Sequence, residues 1–165
     1  KWELKVPKNE SLRLGLAWSG SNAHKNDVNR STSFSSFKPL LNLDCTFYSL
    51  QDKVRECDEA CLSGSERVVH FGDELECFAD TAALIEQLDL IISVDTAVVH
   101  LAGALNKEVW VLIPFNSDWR WLLDRTDSPW YPSMRLFRQR KEETWNDVIM
   151  KVYSELEKLK LKKIF

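Results

Sequence analysis

The sequence predicts an α/β fold built on a doubly wound parallel sheet, Rossmann-like in its arrangement. Short apolar segments alternate with helical stretches along the chain, which is the pattern of repeated βαβ units. One strand begins with an apolar run, Leu90 to Ile92, typical of a parallel strand covered on both faces. Two residues favoured at helix N-caps, Asp95 and Thr96, follow this strand and lead into strong helix formers.

Six strands are expected from short apolar runs. Their predicted ranges are 12–18, 45–50, 67–71, a segment from 90 that ends before Asp95, 109–113 and 134–137. Helices are expected at 33–43, within 52–65, at 78–88, at 97–105 and from 144 to about 162. The helix at 78–88 is amphipathic, and its predicted inward residues are Phe78, Ala82, Leu84, Ile85 and Leu88.

The length of the chain, 165 residues, suits one domain with its own hydrophobic core, so residues 1–165 are assigned to a single domain. Residues 1–11 are expected to be a linker from a preceding half. Residues 144–165 are expected to be a C-terminal helix whose terminal lysines suit its negative end. Because the chain begins with Lys1 rather than Met, we expect it to be part of a longer protein.

Composition excludes several classes of function. The net charge is −3 with 28% charged residues, so no extended basic surface favours nucleic acid. No apolar run approaches the length of a membrane span, and no signal peptide is expected. We therefore expect a cytoplasmic protein without a nucleic-acid partner.

The cysteines leave two interpretations open. Their spacing forms no CxxC pair; they are Cys45, Cys57, Cys61 and Cys77. Free thiols in a reducing compartment are one interpretation. The other is an irregular zinc site formed by Cys57, Cys61, His70 and Cys77.

The order of the strands places a candidate anion site. In a doubly wound sheet the first and fourth strands lie side by side, and ligands bind beyond their carboxyl ends. The helix that starts at Thr96 and Ala97 would direct unpaired N–H groups and a partial positive charge to that point. The loop after the first strand, which starts at Ser19 and Gly20, would face it. That loop supplies three donors for an anion: His24, Lys25 and Arg30.

Each of these residues also has a simpler interpretation. The cations of the loop could be solvated, and the polar cap could belong to an ordinary strand-to-helix junction. One turn into the helix, His100 could reach the ligand, brace the loop or be a satisfied core histidine. The turn Trp18-Ser-Gly-Ser-Asn22 does not fit G-x-G-x-x-G, and a P-loop and a G-x-S-x-G elbow are missing, so no self-contained catalytic centre is predicted.

An ordered set of segments is similar to bacterial family 9 glycosyltransferases, the heptosyltransferase-like enzymes, and most of all to their subgroup fused to tetratricopeptide repeats. The similarity covers about residues 12–139. The segments are Gly15-Leu-Ala-Trp-Ser-Gly20, His24-Lys-Asn-Asp27, Asn29-Arg-Ser31, Phe78-Ala-Asp-Thr-Ala-Ala-Leu-Ile85, Ser93-Val-Asp-Thr-Ala97, His100-Leu-Ala102, Asp118-Trp-Arg-Trp-Leu122 and Ser128-Pro-Trp-Tyr-Pro132.

The resemblance implies the C-terminal half of a two-domain GT-B fold, the half that binds a nucleotide-diphospho-sugar donor. By position, Ser19 and Gly20 would line the phosphate pocket and Lys25 would neutralise the diphosphate. Asp95, Thr96 and Ala97 correspond to the D-T-G/A motif with which the family begins this helix, and His100 corresponds to the histidine that follows the motif. The nucleoside would lie near Gln51 and Asp52. Ala97 replaces the glycine of heptosyltransferases, which leaves the donor sugar open.

The expected reaction is sugar transfer without a metal or other cofactor. Helix N–H groups, Lys25 and His100 would stabilise the departing nucleoside diphosphate. The acceptor site and the general base would belong to the protein's own N-terminal half, with its tetratricopeptide repeats, so this chain alone is expected to be inactive. The loop with Trp119, Arg120 and Trp130 could face that half or the sugar. The alternative function is a non-catalytic protein-interaction module on the same fold.

Overall fold

A six-stranded sheet with all neighbouring strands parallel forms the centre of the fold. The computed structural model describes residues 1–8 and 11–164. The strands are β1 (Arg13–Ala17), β2 (Thr46–Ser49), β3 (Val68–His70), β4 (Leu90–Val94), β5 (Val109–Ile113) and β6 (Met134–Arg138). Their order is β3-β2-β1-β4-β5-β6. The predicted doubly wound fold is confirmed, and β1 and β4 are neighbours as expected.

Helices of two kinds connect the strands. The α-helices are α1 (Trp2–Lys5), α2 (Asp27–Arg30), α3 (Glu56–Ser63), α4 (Phe78–Glu86), α5 (Ala97–Ala104) and α6 (Trp145–Ile164). The 3₁₀ helices are Phe34–Asn42, Gly72–Glu74 and Trp119–Trp121. Among the helices that the structure describes, none combines the length and the apolar character needed to cross a membrane.

The sheet is covered on both faces, which explains the apolar character of its strands. The 3₁₀ helix Phe34–Asn42, α3 and α6 lie on one face, around Trp18 and Phe47. On the other face α1, α4 and α5 pack around Leu84 and Trp121. Every residue of β4 and β5 is buried. Burial on both faces removes the alternation of apolar and polar residues that a half-exposed strand would show.

The segment predicted as a helix at 33–43 is a long 3₁₀ helix. Its buried residues Phe34, Phe37 and Leu40 recur every third position, which places them on one side of a helix with three residues per turn. Pro39 lies inside this helix and has no N–H to donate to an α-helical bond. The apolar pattern therefore located the element but not its type.

One further prediction differs from the structure. Phe78 does not point inward, since it is 66% exposed, and the buried residues of α4 are Thr81, Leu84 and Ile85. Phe78 starts the helix and lines a cleft, which takes it away from the core. The expected linker at 1–11 contains α1, whose residue Trp2 is buried against the second core; residues 9 and 10 lie outside the described part of the chain.

Candidate functional site

A large cleft lies at the carboxyl edge of the sheet, where the predicted site was placed. Its volume is about 1300 Å³. The loops after β1 and β2, the segment before α4 and the start of α5 form its walls. The switch point between β1 and β4 therefore opens into this cleft, as expected for a doubly wound sheet.

The turn after β1 is shaped by a buried amide. The Gln51 side-chain oxygen accepts hydrogen bonds from the backbone N–H groups of Trp18 and Ser19, both at 3.0 Å. The next N–H, of Gly20, donates to the Ser31 hydroxyl at 3.0 Å. The Ser19 hydroxyl lines the cleft, is buried and has no hydrogen-bond partner in the structure. Its hydrogen-bonding capacity is therefore not used among the residues that the structure describes.

Arg30 connects the two sides of the switch point. Its Nη1 donates to the Asp95 carbonyl at 2.7 Å, and its Nε lies 3.6 Å from the Asp27 carboxylate. The guanidinium lies directly over Gly20, where an added Cβ would meet Nη2 at 2.4 Å. A residue with a side chain at position 20 would therefore displace the cation from the cleft.

A second arginine, Arg55, was missed by the sequence analysis. From the loop after β2, its Nη2 donates to the Gly20 carbonyl at 3.1 Å, the Asp27 carboxylate at 2.5 Å and the Ser31 hydroxyl at 3.2 Å. Two guanidinium groups thus surround one buried carboxylate, Asp27, which leaves one excess positive charge at this corner of the cleft; Asp52, Glu56 and Glu76 also line the cleft. The contacts of Arg55 are with residues distant in the sequence, so the sequence does not reveal them. The available signal was that Arg55 follows β2, the strand next to β1.

The start of α5 completes this wall of the cleft. The Thr96 hydroxyl caps the helix by accepting from the Val98 N–H at 3.3 Å. Ala97 is the first helical residue, and both residues line the cleft. The first N–H groups of a helix have no partners within it and attract anions. Of the predicted phosphate-site residues, the cleft brings together Ser19, Gly20, Arg30, Thr96 and Ala97.

The predicted nucleoside residues also lie in the cleft. Gln51 is buried, and its amide is engaged with the turn after β1 and, through Nε2, with the Lys53 carbonyl at 3.2 Å. It therefore supports the wall. Asp52 is exposed, and its carboxylate accepts from the Lys53 N–H at 2.8 Å. Apolar residues close this end of the cleft, among them Val54, Leu75 and Phe78.

Two of the predicted phosphate ligands, His24 and Lys25, lie outside the cleft. Both are exposed. Two tight turns direct the loop away from the cleft. The His24 N–H donates to the Ser21 carbonyl at 3.0 Å, and the Asp27 N–H donates to the His24 carbonyl at 2.9 Å. The side chain of Asn26 then donates to the Asn116 carbonyl at 3.1 Å, which holds the loop against the segment after β5.

Asp95 and His100 lie beside the cleft, on the side of β5. The His100 Nε2 is 4.0 Å from the Asp95 carboxylate. Its ring stacks on the buried Trp121, with centroids 5.4 Å apart, and meets Tyr131 at 5.8 Å. Burial lowers the pKa of His100, against the opposing effect of Asp95. The structure thus places this histidine beneath the aromatic loop and not beneath the loop after β1.

The described residues contain no group of three or more histidine, cysteine or acidic side chains placed to hold a metal ion. The cysteines are unpaired; Cys45 is buried, and Cys57 and Cys77 are exposed at the cleft. The zinc site considered from their spacing is therefore not assembled in this part of the chain.

The chain resembles known proteins in sequence and in fold. Residues 76–114, which include Asp95, Thr96 and His100, match the sequence model of glycosyltransferase family 9 (heptosyltransferase). Over 151 residues the chain is 27% identical to Protein FlbA of Caulobacter vibrioides, a match that covers 87% of this chain and 25% of that protein.

A solved structure, that of ADP-heptose LPS heptosyltransferase II of E. coli, has a similar fold. The TM-score is 0.61 at 15% identity, over 98% of this chain and 50% of the solved one. The chain thus spans about a quarter of its curated relative and half of the solved structure. It resembles family 9 glycosyltransferases in sequence over residues 76–114, and it has the fold of one part of a GT-B heptosyltransferase over nearly its whole length.

Proposed function

We propose that this chain is the donor-binding domain of a glycosyltransferase that uses a nucleotide-diphospho-sugar. One observation carries the proposal: Ser19, Arg30 and Thr96, from different elements, line one cleft at the switch point of the sheet. The segment that matches family 9 supplies the helix start of that same cleft. A scaffold without a ligand would have no need for this polar set.

The chemistry of the wall suits a diphosphate. Arg30 and Arg55 supply fixed positive charge, and the start of α5 supplies N–H groups and the positive end of a helix dipole. The unpaired Ser19 hydroxyl supplies a further donor. When the bond between sugar and diphosphate breaks, negative charge grows on the diphosphate, and these groups would stabilise it without reorganisation. Lys25 would act only if its loop turned toward the cleft.

The orientation of the donor follows from the walls on either side of the phosphates. The end near Gln51 and Asp52 also has an apolar part, formed by Val54, Leu75 and Phe78, which suits a nucleobase. The sugar would then extend toward Asp95, on the side of β5. This orientation agrees with the resemblance, which places the nucleoside near Gln51 and the sugar near Asp95.

The rest of the proposed enzyme lies beyond this chain. We propose a second, N-terminal half that carries the acceptor site, the general base and tetratricopeptide repeats, in a bacterial cytoplasmic protein. We expect transfer without a metal cofactor. On this account the chain alone binds donor weakly and transfers no sugar.

Ligand-observed NMR of the 165-residue chain with UDP, ADP and GDP, each alone and as a nucleotide sugar, tests the proposal. We expect binding by one nucleotide class, and we expect the signal to persist in the presence of EDTA. If a folded sample binds none of them, the alternative of a non-catalytic interaction module replaces the proposal. Loss of the signal with EDTA would contradict only the metal-independent part.

A further inference from the structure

The loop after β5, at the same carboxyl edge of the sheet as the donor cleft, exposes two tryptophan rings. Trp119 is 66% exposed and Trp130 is 55% exposed. Their rings meet edge to face, with centroids 6.2 Å apart and planes at 88°. We call this pair the aromatic platform. Two large apolar rings exposed together mark a binding surface more often than two isolated residues would.

The platform is held in place by hydrogen bonds. The Trp130 indole N–H donates to the Arg120 carbonyl at 2.9 Å, and the Trp130 backbone N–H donates to the Ser128 hydroxyl at 3.2 Å. The Arg120 backbone N–H donates to the Asp118 carboxylate at 3.0 Å. Because the rings are ordered before a ligand arrives, less conformational entropy is lost on binding.

The backbone below the platform is strained. Leu122 has φ 52° and ψ −164°, a region that is nearly restricted to glycine. The buried neighbour Trp121 and the guanidinium of Arg138, which donates to the Trp121 carbonyl, hold this conformation. Strained residues of this kind are concentrated at ligand sites, where the surrounding structure maintains them.

The platform lies on the sugar side of the proposed donor site. The cleft is walled by the loops after β1 and β2, the segment before α4 and the start of α5, whereas the platform follows β5, on the other side of β4. His100 lies between the strand-to-helix junction and the loop of the platform. Its Nε2 is 4.0 Å from the Asp95 carboxylate, and its ring stacks on Trp121, a residue of the same loop as Trp119 and Trp130. A donor with its base near Gln51 would therefore direct its sugar toward the platform.

We propose that the aromatic platform binds a pyranose ring during transfer, an inference that rests on the proposed function. The C–H face of a pyranose is apolar and flat enough to stack on an indole, while its hydroxyls need polar partners at the rim. At this rim the Asp118 carboxylate supplies an acceptor and the Arg120 guanidinium supplies donors. The two groups form an ion pair at 2.8 Å, and the guanidinium lies 5.0 Å from the centroid of the Trp119 ring. The ring belongs either to the donor or to a glycan acceptor.

Binding measurements on Trp119→Ala and Trp130→Ala test this inference. The probes are UDP, ADP and GDP, their hexose and N-acetylhexosamine derivatives, and methyl glycosides of the same sugars, observed by saturation-transfer NMR and tryptophan fluorescence. We expect each variant to bind the free nucleotide as the wild type does and to lose about tenfold in affinity for a sugar-bearing ligand. Trp119→Phe should restore part of the loss, because it keeps a ring.

The arms of the experiment separate the sources of the sugar. A loss confined to nucleotide sugars identifies the donor sugar, and a loss for methyl glycosides identifies an acceptor. Leu161→Ala removes a similarly exposed apolar side chain from α6 and should change neither. If the wild type binds nucleotide while both variants retain full affinity for every sugar, the platform is not a sugar site, and docking of another protein surface becomes its explanation. If the wild type binds no nucleotide, the proposed function itself fails.

Discussion

At the scale of single residues, Gly20 and Arg30 form the most specific part of the proposed site. We expect Gly20→Ala to fold, because the contact at 2.4 Å is with the mobile end of the Arg30 side chain. The displaced guanidinium would leave the Asp95 carbonyl, so nucleotide affinity should fall about tenfold, while unfolding free energy falls by less than about 1 kcal/mol. Calorimetry and urea unfolding measure the two effects.

The matched control for this prediction is Gly64→Ala at the end of α3, where the added Cβ would contact a backbone oxygen at 3.3 Å outside the cleft. That variant should leave nucleotide affinity unchanged. Equal affinities of Gly20→Ala and the wild type would show that the guanidinium has no part in binding.

A second prediction at the scale of single residues concerns the contribution of Asp58 to stability. Its buried carboxylate accepts from the Trp18 indole N–H at 3.0 Å and from the Phe34 N–H at 2.8 Å. Asp58→Ala would leave both donors unpaired, which we expect to lower the unfolding free energy by about 2–4 kcal/mol. Urea denaturation measures this change in unfolding free energy. The control is Asp44→Ala at an exposed position, and we expect its unfolding free energy to lie within about 0.5 kcal/mol of the wild-type value. A similar loss in both variants would contradict the assignment.

The histidines give the protein a pH dependence. Burial lowers the pKa of both His70 and His100. The unfolded chain therefore binds protons at higher pH than the folded chain, so the folded state should lose stability as pH falls below about 6.5. We expect the Tm to decrease between about pH 7.5 and 5.5, and to decrease less in the double variant His70→Gln/His100→Gln. Parallel Tm profiles of the two proteins would disprove this origin.

At the scale of elements, α5 must lie very close to its neighbours to present its N-terminus at the switch point. An added Cβ on Gly103 would meet the Met134 Cε at 2.4 Å and the Tyr131 ring at 2.7 Å. We expect Gly103→Ala to cost about 1–3 kcal/mol of unfolding free energy through overpacking. Ala104→Ser enlarges an exposed residue of the same helix and should cost less than about 0.5 kcal/mol. Thermal or urea unfolding of both variants tests this prediction. Equal stabilities of Gly103→Ala and Ala104→Ser would show that α5 has room to move.

Elements with a strong local signal were predictable from the sequence. The range predicted for β5, 109–113, is the observed one, because strands buried on both faces carry a continuous apolar signal. The helix at 33–43 was predicted without its type, since its period of three became clear only with the packing of Phe34 and Phe37. Phe78 was assigned to the core because apolar character alone does not distinguish a core residue from one that lines a cleft.

At the scale of the whole molecule, the strand order decided how much of the site could be predicted. The adjacency of β1 and β4 follows from the usual doubly wound arrangement, and it brought Ser19, Arg30 and Thr96 to one cleft as expected. Arg55 could not be predicted, because its position depends on Asp27, 28 residues away in the sequence. Lys25 looked equivalent to Arg30 in the sequence, and only the turns of the loop separate the two.

The central claim is that this cleft binds a nucleoside diphosphate through Arg30, and calorimetric titration tests it most directly. The titrant is the nucleoside diphosphate found in the NMR screen, and the proteins are the wild type, Arg30→Gln and Lys25→Gln. Both substitutions remove one positive charge from the same loop, so a difference between them reports position and not net charge. We predict that Arg30→Gln weakens binding about tenfold or more and that Lys25→Gln changes it less than about twofold. Unchanged affinity in Arg30→Gln, or a loss confined to Lys25→Gln, would contradict the account.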